Sequence, residues 1–233
     1  MQLLTHLKEA LLHLAFPHVC EGCGTDVLDD AHELCLHCLS QLPLTQFEQF
    51  SPNPVEKILE VRMPIQHAAG ILYFTKESLM QHLMHQFKYK GNKELGLYLG
   101  RFMGRLLKAS PIYQNVDCLI PLPLHPSKEK KRGYNQATIL CEGISDVLGK
   151  PVLKHAVVRA TFTESQTRKS RVERWQNMEG RFTVESPDQV AGKHLLLVDD
   201  VITTGATLEA CGRTLLEQEG TRLTVATLCV AFS

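Results

Sequence analysis

The sequence predicts an α/β domain, a mostly parallel sheet with helices on both faces, preceded by a small N-terminal domain organised by four cysteines. Three observations lead there. From about residue 65, short β-branched runs alternate with helical patterns, the order that gives a parallel sheet covered on both sides. The most apolar run, "HLLLVDD", ends in two aspartates and passes through a Thr/Gly loop into a helical pattern. Two Cys-x-x-Cys pairs, Cys20/Cys23 and Cys35/Cys38, lie close together near the N-terminus.

The first segment, "MQLLTHLKEALLHLAF", repeats Leu3, Leu7, Ala10, Leu11 and Leu14 at helical spacing, with Lys8 and Glu9 interrupting. That is the pattern of an amphipathic helix docking on the protein itself. It lacks the unbroken apolar core and small-residue cleavage site of a secretory signal. Its polar face holds His, Thr and Gln rather than the Lys and Arg of a membrane-surface helix. No run approaches the roughly 20 apolar residues of a membrane span. A reducing cytoplasm is the expected location.

The two cysteine pairs are separated by 11 residues. Two such knuckles place four thiolates where a tetrahedral Zn²⁺ fits, and Gly22 and Gly24 permit the tight turn around the first pair. Four sulfurs leave no open position for water, so the metal would be structural. A segment this short buries little core, so metal binding would supply its folding energy. A redox dithiol is the competing reading. His18, His32 and His37 lie nearby as possible substitutes for one cysteine. The remaining cysteines, Cys118, Cys141, Cys211 and Cys229, stand singly in apolar segments as small buried hydrophobes.

"SQLPLTQFEQFSPNPVEK" carries three prolines and few apolar repeats and reads as a linker. It separates an N-terminal helix and knuckle domain, residues 1–50, from a second domain, residues 55–233. In the second domain "HAAGILYF" is a strand. "ESLMQHLMHQFKY" is a helix with Leu79, Leu83 and Phe87 on one face, and "KELGLYLGRFMGRLLKA" is another. "VDCLIPLPL" is a buried strand stopped by prolines, and "NQATILCEGISDVLGK" a helix ended by Gly149. "HLLLVDD", "ATLEACGRTLLEQEG" and "RLTVATLCVAF" complete the order as strand, helix and strand.

Ligands of such folds bind beyond the carboxyl ends of the strands. Asp199 and Asp200 sit at such an end, and Thr203, Thr204, Gly205, Ala206 and Thr207 follow. Backbone N–H groups at a helix N-terminus, with small side chains around them, form a phosphate cradle. The threonine hydroxyls add donors, and Gly205 relaxes the backbone. No lysine of the Walker A kind is present, which argues against an ATPase. Two carboxylates do not hold a phosphate. They suit ribose hydroxyls, with Mg²⁺ bridging to further phosphates. The formal net charge is 0, so any nucleic-acid or membrane contact would have to come from local patches.

Four apolar residues, two acids, two more residues and then T-x-G-x-T resemble the phosphoribosyl pyrophosphate (PRPP) motif of type I phosphoribosyltransferases. The paired knuckles, "FKYKGNKELG", "IPLPLHPSKEKKRGYNQA", a T-x-x-Q…R-x-x-N segment and the PRPP motif follow the order of the ComF family of competence-associated proteins. The resemblance covers nearly all of the chain after the first helix. It implies a type I phosphoribosyltransferase fold. It also implies that Asp199 and Asp200 contact the ribose 2′- and 3′-hydroxyls, while residues 203–207 hold the 5-phosphate. His125, Lys128, Lys131 and Arg132 would form an electropositive wall for the pyrophosphate. Tyr134, Asn135 and Gln136 would add a ring and amide groups there. Thr163, Gln166, Arg174 and Asn177 match the family pattern in a polar segment that resembles the superfamily's hood. Lys169 stands where an apolar residue is expected.

Purine-salvage members carry a third acid in the phosphate loop as a base, and here that position is Thr203. This argues against ordinary hypoxanthine or guanine salvage. The chain begins Met1–Gln2, without the N-terminal cysteine of a glutaminase. Three readings remain: a phosphoribosyltransferase with an unidentified acceptor, a PRPP or nucleotide sensor without turnover, and a factor in natural transformation. In the last, the knuckle and the basic segments around 128–132 and 168–174 would contact single-stranded DNA. Competence proteins such as a helicase would be its partners, as the resemblance implies.

Overall fold

A computed structural model describes residues 18–28, 32–159 and 182–232. The expected N-terminal helix and the hood segment with Thr163, Gln166, Lys169, Arg174 and Asn177 lie outside the described residues.

The core is a four-stranded sheet of β1 (His67–Tyr73), β2 (Cys118–Pro121), β5 (His194–Ile202) and β6 (Arg222–Val230), in the order β1-β6-β5-β2. Every pairing in it is parallel, with Pro121 opposite Val198, and Asp199 opposite Thr227. Leu195 through Val198 are fully buried, as a strand covered on both faces requires. A separate antiparallel pair, β3 (Val157–Arg159) and β4 (Phe182–Val184), flanks residues 160–181.

The helices follow the expected pattern. Helix α3 (Leu79–Tyr89) starts where Ser78 accepts from the Gln81 N–H, and it buries Met80, Leu83, Met84 and Phe87. Helix α4 (Lys93–Ala109) is capped by Asn92, and α6 (Gln136–Leu148) ends on Gly149 at φ +66°. Helices α4 and α6 pack backbone against backbone. A Cβ on Gly143 would stand 2.4 Å from the Leu97 carbonyl oxygen, and one on Gly100 would stand 2.6 Å from that of Leu140. Helix α6 packs on β2 and β5, whereas α8 (Ala206–Leu216) packs on β5 and β6.

One segment departs from the sequence reading, and three further short α-helices complete the fold. The stretch expected to be a linker is packed along β1: Leu42, Phe47 and Val55 are buried. Its irregular backbone finds partners on that strand, with Thr45 N–H donating to Ile71 O at 3.0 Å and Tyr73 N–H to Pro43 O at 2.8 Å. Part of it is a helix, α2 (Pro54–Glu60), opened by an Asn53/Glu56 capping box. The basic segment after β2 is likewise helical, α5 (Pro126–Arg132), and exposes its lysines. A short helix, α1 (Leu36–Ser40), closes the second cysteine knuckle, and α7 (Pro187–Val190) precedes β5.

Candidate functional site

The carboxyl ends of the parallel strands bring the principal site residues together. Strand β5 carries Asp199 and Asp200 to that edge, between β2 and β6. The two acids are linked through the backbone, Asp200 N–H donating to Asp199 Oδ1 at 2.8 Å. Burial and then the neighbouring negative charge of Asp200 push the Asp199 carboxyl up to about 8, against the pull of Lys88 and Arg132. A carboxyl held this way is poised to take up a polar or cationic partner.

The loop after β5 turns through Gly205 at φ +76°, the N-cap of α8. Thr203, Thr204, Ala206 and Thr207 are exposed around it. No side chain of the N-cap residue satisfies the first N–H groups of α8, and Thr204 Oγ1 reaches the Ala206 N–H only at 3.5 Å. The N-terminus of this 11-residue helix has the geometry and dipole that favour an anion. Glycine is required at position 205 twice over. Its φ is left-handed, and a Cβ there would lie 2.8 Å from Leu59 Cδ2 of α2. The misread linker thus supports the loop. Arg62 extends that support by donating to Glu209 Oε2 of α8 at 2.8 Å.

The residues after β2 divide. His125 caps α5, its Nδ1 accepting from Ser127 N–H at 3.3 Å, and Lys128 and Lys131 are exposed on that helix. The Arg132 guanidinium lies over the Tyr89 ring at 5.5 Å and donates to Gln136 Oε1 at 2.5 Å. Its charge reaches Asp199. Tyr134 does not offer a free ring: it is buried, and its hydroxyl donates to the Phe87 carbonyl. Asn135 caps α6 and donates to Leu122 O at 2.9 Å. Gln136 is also buried, but its Nε2 has no partner, leaving one donor beside Arg132. Sequence reading assigned no role to Lys88, whose ammonium lies 2.9 Å from Asp200 Oδ1. The only sequence signal for it was its place in "FKYKGNKELG".

The four cysteines come together as the spacing predicts. Their sulfurs all lie within 4.8 Å of one another, with Cys23 and Cys35 Sγ 3.7 Å apart. A tetrahedral site with Zn–S near 2.3 Å has sulfur–sulfur edges of roughly 3.8 Å, so the donor set fits a metal such as zinc. Backbone N–H groups of Gly22 and Cys35 point at Cys20 Sγ, at 3.4 and 3.2 Å, as donors to a thiolate should. Gly22 leaves no room for a side chain, since a Cβ would meet Cys38 Sγ at 2.7 Å. The histidines are engaged elsewhere: His18 Nε2 with His32 O, and His37 Nε2 with Gln41. The cluster packs on the larger domain through Leu79 beside Gly22 and His32 against Tyr98.

Among the described residues no helix is long and apolar enough to cross a membrane. The phosphoribosyl transferase domain family matches residues 135–232. The DNA utilization protein YhgH of Shigella flexneri is 30% identical over 93% of this chain and 92% of its own. Competence protein F of Haemophilus influenzae is 29% identical over 88% of this chain and 86% of its own. Competence protein ComFC of Bacillus subtilis is 32% identical over 62% of this chain and 57% of its own. With a phosphoribosyltransferase domain behind a four-cysteine cluster and relatives of this kind along its length, the chain belongs to the ComF family.

Proposed function

We propose that this competence-related, phosphoribosyltransferase-like chain binds PRPP with Mg²⁺ at the carboxyl edge of its sheet. The observation that carries the reading is the placement of Asp199 and Asp200 directly before the open N-terminus of α8. The helix N–H groups and the exposed threonines would take the 5-phosphate, and the two carboxylates would accept from the ribose 2′- and 3′-hydroxyls. Arg132, the unpartnered Gln136 Nε2 and the α5 lysines would face the pyrophosphate. Mg²⁺ carried on that pyrophosphate would spread the charge that builds up as it leaves. Thr203 supplies no base, so any transfer would depend on charge neutralisation and on the acceptor's own nucleophilicity. Sensing of PRPP without turnover uses the same site. Pyrophosphate release on adding candidate acceptors separates the two. Calorimetry with Mg²⁺ and PRPP tests their shared premise. Binding should be lost in the double variant Asp199→Ala/Asp200→Ala, and undiminished binding there refutes the assignment.

A second reading rests on a different observation. The exposed Tyr89 ring lies beside Arg132, with Lys90, Lys128, Lys130 and Lys131 also exposed. Aromatic surface among cations suits single-stranded DNA. Binding should weaken steeply with salt, and more gently so once Lys128, Lys130 and Lys131 are neutralised. Salt-independent binding removes this reading. On this reading the competence apparatus, including a helicase, supplies the partners.

A further inference from the structure

Lys88 and Asp200 are 112 residues apart in the chain, yet their side chains meet at 2.9 Å and are only 19% and 13% exposed. Enclosure of that degree keeps water from screening the pair as it would at the surface. Without Lys88, the adjacent Asp199 and Asp200 carboxyl groups would face one cleft. Among the described residues, the charges left to oppose them would be Arg132, which already engages Tyr89 and Gln136, and the open end of α8. Paired carboxylates in a part-enclosed cleft are the donor set that hard divalent cations seek. Here the cation is built into the chain. An ammonium has three donor hydrogens, and Asp200 Oδ1 takes one of them. Helix α3 holds the base of this side chain firmly, because Phe87 is fully buried and its carbonyl accepts from the Tyr134 hydroxyl.

We propose that Lys88 is the resident cation of the site. It fills the position against Asp200 that a divalent metal would take, and it turns its remaining hydrogens to the phosphate-bearing side of the bound sugar. Metal then enters only as part of a magnesium–PRPP complex. The second half of this inference rests on the PRPP reading above; the first half does not.

The test is Mn²⁺ titration of the full, zinc-loaded, ligand-free chain, followed by electron paramagnetic resonance. The proteins compared are the parent, Lys88→Arg, Lys88→Met, Lys88→Gln and Lys88→Met/Asp200→Asn. The parent and Lys88→Arg should bind Mn²⁺ no better than scattered surface carboxylates do. Lys88→Met and Lys88→Gln should each bind it at least tenfold more tightly, and the double variant should return to the parent's level. Lys88→Gln keeps a polar head and serves if Lys88→Met does not fold. Parent binding as tight as that of Lys88→Gln, or a double variant that keeps the gain, overturns the inference. Calorimetry with magnesium–PRPP reads the second half: affinity should drop at least tenfold in Lys88→Gln, and unchanged affinity overturns it. A parent that binds no PRPP at all refutes the proposed function instead, while the Mn²⁺ comparison still decides the resident-cation claim.

Discussion

Replacing Asp199 by asparagine should stabilise the ligand-free protein, and by an amount that grows with pH. The carboxyl is raised from 3.8 to about 8 in the folded chain, by burial first and by the Asp200 charge second. Between those values the folded state keeps a proton that the unfolded state has released. The unfolded state therefore binds fewer protons, and stability falls as pH rises, by about 1.4 kcal/mol per unit. The window spans about four units, and partial solvent access reduces its effect. Counting half of it gives roughly 3 kcal/mol lost by pH 8. Asparagine cannot titrate, and its Oδ1 can still accept from the Asp200 N–H, a bond of 2.8 Å in the parent. Urea denaturation of parent and variant at steps from pH 4 to pH 8 measures the difference at each pH, which cancels the cysteine and metal titrations common to both. The variant should be more stable by about 2–3 kcal/mol at pH 8, with the gap closing towards pH 4. A constant gap across that range, or a variant less stable at pH 8, refutes the charge argument.

Gly205→Ala should cost about 2–4 kcal/mol in denaturant melts, from the left-handed φ together with the crowding of Leu59, and should abolish PRPP binding at temperatures where the chain stays folded. Gly22→Ala should lower zinc content below the roughly one metal per chain expected of the parent, because its methyl would press on Cys38 Sγ; elemental analysis reads the loss, and full zinc occupancy would contradict the packing. Tyr134→Phe should destabilise the chain by about 1–3 kcal/mol, leaving the buried Phe87 carbonyl without its donor. Its PRPP affinity should stay within twofold of the parent, whereas a large affinity loss with unchanged stability would assign the hydroxyl to the ligand site.

What could be read from the sequence was what is local in the chain. The run from Leu195 to Thr207 carries strand, acids, loop glycine and helix start in one stretch, so its geometry follows from its order. The four cysteines were equally legible, because knuckle spacing nearly dictates the clustering of sulfurs. The misses depend on contacts distant in sequence. Nothing in residues 40–57 announces that Leu42 and Phe47 will be buried, since the strand they cover begins at His67. The same holds for Leu59 beneath Gly205, and for Lys88 on Asp200. In "RGYNQA" the residue types suggested a ligand, but Tyr134 and Asn135 spend their polar atoms on Phe87 and Leu122. Only the fold decides whether an amide or a phenol faces the cleft or the core.

A crystal structure of the chain with magnesium–PRPP tests the central claim most directly. The ribose 2′- and 3′-hydroxyls should lie within hydrogen-bond reach of Asp199 and Asp200, with the 5-phosphate on the N–H groups of residues 203–207. PRPP bound elsewhere, or a site that remains empty at saturating ligand with both acids and loop in place, would contradict it.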